Sequence, residues 1–124
     1  MPSTKGDVHV RRIHDDVEVG GARVLVDRLW PRGVSKEDAD LTARPKEVAP
    51  SDDLRQWYDH DPDRFDEFAD RYRAELEDDD HGAALDEVAA LARQGGVVLL
   101  TATKDVDHSH AEVLTSVLEG RLRA

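Results

Sequence analysis

Apolar residues along this chain fall into two kinds of pattern. Three groups are short and dense: VHVRRI (8–13), RVLVDRL (23–29) and VVLLT (97–101). Elsewhere they recur at spacings of three and four. The first group predicts a strand over 7–13 and the second a strand over 23–29, entered through the Gly20-Gly21 turn signal. VVLLT follows Gln94-Gly95-Gly96 and has no polar alternation. A continuous apolar run of that length predicts a strand covered on both faces, as in a parallel sheet.

The spaced residues predict helices with good start signals. Ser35 is a candidate cap for a short helix over 36–41. Ser51 caps a second that puts Leu54, Trp57 and Tyr58 on one face. Asp61-Pro62 is an N-cap and N1 pair opening a third, with Phe65, Phe68, Ala69, Tyr72 and Leu76 in one stripe. That aromatic stripe has helical spacing and is read as packing. A fourth helix starts at about Ala83 and carries Leu85, Val88, Leu91 and Ala92. Ser109 and Glu112 form a capping-box signature for the last helix, which turns Leu114, Val117, Leu118 and Leu122 to the core. Strand, strand, helices, strand, helix is the order of an α/β fold. The expectation is one small domain over 1–124: a mainly parallel sheet of few strands covered by helices in a Rossmann-like three-layer arrangement.

Composition narrows the setting. The chain has 124 residues, no cysteine, 28 acidic residues against 17 Lys plus Arg, and a formal net charge of -11. Without cysteine there is no disulfide framework and no thiolate nucleophile. No run approaches the roughly 20 apolar residues of a membrane helix, and the N-terminus lacks the apolar stretch of a signal peptide. A soluble, cytoplasmic protein is expected. The acidic field opposes nucleic-acid binding, which depends on neutralising phosphates. Lysine is confined to Lys5, Lys36, Lys46 and Lys104. An acidic, Lys-poor surface suits a salt-rich cytosol, where salt screens self-repulsion, so the charge is read as halophilic adaptation. The run ELEDDDHG (75–82) is read as a solvated helix end and loop.

Chemistry collects where two strands end. In parallel α/β sheets, ligands bind outside the carboxyl ends of the strands. DRLWPRG leaves the second strand, and TATKDVDHSH leaves the third. If those strands are neighbours, Asp27, Arg28, Arg32, Lys104, Asp105, His108 and His110 share one crevice. Pro31 and Gly33 make a turn able to aim Arg32 over the sheet. Guanidinium forks suit carboxylate and phosphate oxygens, and the last helix starts at His110, where free amides favour an anion. His110 is the candidate general acid or base, with Asp27 or Asp105 orienting it. Arg28, Arg32, Lys104, His108 and Trp30 are the candidate binding residues. Each has a structural alternative: Asp27 and Arg28 as a strand-end pair, Trp30 as a core cover, Ser109 as a cap. His9 and His14-Asp15-Asp16 are read as surface. His108-x-His110 fixes no set of three or four metal ligands, so no metal is expected, and no cofactor can be named. Gly-rich nucleotide loops and G-x-S-x-G are absent.

At these residues the chain resembles the YeaO-like proteins of a domain-of-unknown-function superfamily. The similarity rests on RVLVDRLWPRGVSK, VAPSDDLRQWYDHDPDRF, FADRYRAEL and LLTATKDVDHSHAEVL, and spans about residues 8–119. It implies a small α/β protein and the same crevice, lined by Asp27, Arg28, Arg32, Asp105 and His110. It implies no activity. Thr101, Ser109 and Arg44 depart from the pattern of the family, which has an aromatic, Asn or Cys, and Trp at those places.

Three functions follow. The first is an enzyme acting on a small phosphate- or carboxylate-bearing substrate, the second a non-catalytic nucleotide- or metabolite-binding module using the same arginines. The third, opposed by the net charge, is a nucleic-acid-associated regulator with Arg23, Arg28 and Arg32 as its patch. The sequence does not fix the oligomeric state.

Overall fold

The computed structural model describes residues 6–15 and 20–123. Asp16 and Lys5 lie outside them. Three strands form one sheet: β1 (Val8–Arg12), β2 (Ala22–Leu25) and β3 (Val97–Thr101), in the order β1-β3-β2 with both pairings parallel. Val97 faces Val8 on one side and Ala22 on the other, so all three strands end at the same edge. The helices are α1 (Lys36–Ala39), α2 (Asp52–Tyr58), α3 (Phe65–Glu75), α4 (Asp79–Gly95) and α5 (His110–Arg123).

β3 is central and buried over its whole length, as its unbroken apolar run requires. Its side chains alternate between two clusters. Val97 and Leu99 join Val24, Val26 and the large core beneath α3, α4 and α5, which includes Phe68, Tyr72, Leu85, Val88, Leu114 and Leu118. Val98 and Leu100 point the other way, to Leu25, Ile13 and Ala39, with Trp30, Val34 and Leu41 packed against them. The arrangement is three-layered and lopsided: long helices cover one face, while a four-residue helix and loops cover the other.

Several expected boundaries move. β2 ends at Leu25, not at Leu29. Val26 still donates to Leu100 O, but beyond it the chain leaves the sheet, and Leu29 is 62 % exposed. Ser35 and Ser51 cap as expected, accepting from Asp38 N and Leu54 N. Asp61-Pro62 opens a 3-10 turn (Pro62–Arg64) that runs into α3. The fourth helix begins four residues before its expected start, because Asp78 caps it by accepting from His81 N. The acidic run 75–82 is therefore largely a helix junction, and His81 within it is buried. The Ser109–Glu112 capping box does not form. The Ser109 hydroxyl instead donates to Val106 O, closing the 3-10 turn (Val106–His108) ahead of α5. Among the described residues no helix is long and apolar enough to cross a membrane.

Candidate functional site

Because β2 and β3 are paired, the segments leaving them meet. Asp27 lies two residues past β2, and its side chain turns onto the end of β3. One carboxylate oxygen accepts from the Thr101 hydroxyl at 2.7 Å, and the other from the Ala102 amide at 2.8 Å. From the start of α5, His110 Nε2 lies 3.1 Å from Asp27 Oδ1 and 3.1 Å from Val26 O. Both neighbours are acceptors, so Nε2 carries the proton and donates to them. Burial pushes the Asp27 carboxyl up. The hydrogen bond and charge of His110, with the Ala102 amide and Thr101 hydroxyl, outweigh that and leave it below the usual aspartate range.

This cluster floors a cavity of about 380 Å³ at the carboxyl edge of the sheet. One wall is the loop after β2, from Asp27 to Arg32. Here Gly33 adopts φ +75° and Trp30 Nε1 donates to Val34 O at 2.7 Å, so the loop folds back on itself. The opposite wall is Ala49 and Pro50, together with Tyr58 and His60 from the end of α2. α2 ends because Asp59 and His60 both take left-handed conformations, at φ 47° and 54°. Phe68 closes the base, its ring stacked on Tyr58 at 4.2 Å between centroids. The third side is Thr101, Ala102, Thr103, His108 and Ser109.

The 48–51 wall is held from four directions. Tyr72 OH donates to Val48 O, and His81 Nε2 lies 3.1 Å from Ala49 O. Arg28 reaches Ala49 O and Pro50 O, each at 3.3 Å, and Glu75 accepts from the backbone and hydroxyl of Ser51. The Tyr72 phenol is raised well above its ordinary value, chiefly by burial and then by the Glu75 charge. It therefore serves as a neutral donor.

The structure sorts the candidate residues. Asp27, Arg28, Trp30, Arg32, His108 and His110 all line the cavity. Lys104 and Asp105 do not. Asp105 turns to His108 Nδ1 at 3.0 Å, so of the two candidate carboxylates it is Asp27 that contacts His110. Arg28 has its guanidinium committed to the 49–50 carbonyls, with Glu47 and Asp52 nearby at 3.7 and 3.9 Å. Arg32 is exposed and, among the described residues, has no hydrogen bond or ion pair. Arg23 donates to Ala39 O and Asp40 O behind α1, so the supposed Arg23–Arg28–Arg32 patch is not a surface unit. Among the described residues no group of three or more His, Cys, Asp or Glu converges as metal ligands would.

Five contributors escaped sequence reasoning. Tyr58 and Phe68 sit at helical spacing and read as packing, which they also provide. His60 and Arg55 carry no local signal, since only the fold of α2 against the strand ends brings them in. Thr101 had a legible cue: a hydroxyl closing an otherwise aliphatic strand.

Residues 7–124 match the family described as the inactive DUF488-N3 subclade. The chain belongs to this family. A relative from Mycobacterium tuberculosis, named only as an uncharacterised protein, is 49% identical over 115 residues, covering 92% of this chain and 95% of its own. The uncharacterised protein YeaO of Escherichia coli is 34% identical over 113 residues, covering 90% and 96%. No solved structure gives a significant match. Within this DUF488-N3 chain, the Asp27–His110 contact joins the D-R-L-W-P-R-G segment to the D-H-S-H segment.

Proposed function

We propose that this chain is a non-catalytic binding domain for a small anion held at the carboxyl ends of β2 and β3. One observation carries the reading: in an acidic molecule the cavity lining holds more cationic than anionic side chains, and one of them, Arg32, is paired with no described residue. In a chain of net charge -11 it is lined by three arginines, three histidines and a single carboxylate, Asp27. That carboxylate already accepts from Thr101, Ala102 and His110. Arg32 has no partner among the described residues, which leaves its fork available to a carboxylate or phosphate. The description of the family as an inactive subclade supports binding without turnover. So does the engagement of the Ser109 hydroxyl, the cavity's one serine, with Val106 O. The acidic exterior fits a salt-rich cytosol, with the cavity as the place where an anion is still welcome.

A second reading, an enzyme acting on a small anionic substrate, is favoured by the Asp27–His110 pair, in which a carboxylate orients an imidazole as in general acid–base sites. The two separate in one experiment. Wild type, Arg32→Ala and His110→Gln are screened by thermal shift in high salt against phosphates and carboxylates, and every stabilising compound is then assayed for turnover. The binding reading expects a concentration-dependent rise in melting temperature that Arg32→Ala loses and no turnover of any hit. Turnover that disappears in His110→Gln would replace it with the enzyme.

A further inference from the structure

Leu29 is the one large hydrophobic residue that is exposed among the described residues, at 62 %, and it is also a lining residue of the cavity. An isolated exposed leucine is ordinary. This one stands between Arg28 and Trp30 in a lining whose apolar part also includes Trp30, Pro31, Pro50, Tyr58 and Phe68. Little in those walls asks for a compact, fully hydrated ion. An inorganic phosphate would satisfy Arg32 and leave an aromatic and aliphatic volume of about 380 Å³ wet. Three of the polar side chains inside are already engaged. Trp30 Nε1, the Tyr58 hydroxyl and the Asp27 carboxylate are all satisfied by protein partners. What remains for a ligand is mainly apolar surface, with the Arg32 guanidinium and the imidazoles of His60, His108 and His110 as its polar part.

We infer that the anion is amphipathic: an organic acid with an apolar body that fills the cavity against Tyr58, Phe68 and Leu29 and presents its charge to Arg32. The inference rests on the anion-binding reading and narrows it to a chemical class, hydrophobic monoacids over sugar phosphates and inorganic ions. On this account Leu29 is covered once the ligand's body lies against it.

A ladder of monocarboxylates of equal charge tests it: acetate, butyrate, hexanoate, benzoate and naphthoate, with inorganic phosphate as the compact control. Binding is read by thermal shift and by tryptophan emission in the Trp57→Phe variant, where Trp30 in the cavity wall is the sole reporter. Each methylene taken from water into the cavity should tighten binding about three- to four-fold. Hexanoate should therefore bind about a hundredfold tighter than acetate, with phosphate near or below acetate. Leu29→Ser should flatten the upper rungs while leaving the free protein's melting temperature near wild type, since the side chain packs on little. A flat ladder in which phosphate binds as well as naphthoate overturns the amphipathic inference and leaves the anion reading standing. Silence from every anion in both readouts overturns both. A steep ladder that Arg32→Ala leaves untouched keeps the apolar body and removes the arginine as its charge partner.

Discussion

Replacing Asp27 by asparagine is the sharpest test of how the site is held together. Three donors converge on this carboxylate: the Thr101 hydroxyl at 2.7 Å, the Ala102 amide at 2.8 Å and His110 Nε2 at 3.1 Å. The Asp27 side chain is 15% exposed, so solvent replaces little of what is lost. Asparagine offers one acceptor oxygen and turns two N–H groups toward the remaining donors. An unsatisfied buried donor costs roughly 1–3 kcal/mol, and a charge-assisted hydrogen bond contributes roughly 1.5–3. Taken together, and not as a strict sum, a loss of about 2–4 kcal/mol is expected. For a domain of this size 1 kcal/mol corresponds to about 4 °C in melting temperature, so Asp27→Asn should melt about 8–15 °C lower near neutral pH. The pH dependence has a definite sign. The folded carboxyl titrates below the ordinary 3.8, so its contribution is fully present above that value. It is lost as pH falls through 3.8 toward the depressed folded value. Urea unfolding of both proteins from pH 7 down to pH 3 would show the gap between them narrowing only at the acid end. A variant within about 2 °C of wild type at pH 7, or a gap that is constant to pH 3, would refute the picture of an ionised carboxylate as the hub of the site.

Two further predictions concern the cavity wall. Tyr72→Phe removes the fully buried hydroxyl that donates to Val48 O and leaves that carbonyl unsatisfied; roughly 1–3 kcal/mol should be lost in chemical denaturation, with the fold retained. Ser51→Ala removes both the α2 cap to Leu54 N and the hydroxyl bond to Glu75. It should cost about 1–2 kcal/mol, and amide exchange should speed up in the first turn of α2 before it does in β3.

The sequence alone carried the identity of the elements. The unbroken VVLLT run read as a strand covered on both faces, because a half-exposed strand alternates apolar and polar residues. Ser35 and Ser51 announced their helices through short-range hydrogen bonds whose donors and acceptors lie within three residues. The strand ends also named most of the cavity, since Asp27, Arg28, Trp30, Arg32, His108 and His110 all come from two contiguous segments. Where a competing local partner existed, local reading failed. Asp78 capped α4 early, and Ser109 bonded backward to Val106 in preference to capping forward. Tertiary structure alone decided the rest, because it depended on register and strand order. Pairing β2 directly with β3 brought Asp27 to His110 across 83 residues of chain and left Asp105 to His108. Packing α2 and α3 against that edge added Tyr58, His60 and Phe68. Burial likewise divided the arginines, turning Arg28 and Arg23 into ties for loop carbonyls and leaving Arg32 without a partner among the described residues. Such assignments are long-range: which donor meets which acceptor is settled only once the sheet has formed and each group has lost its water.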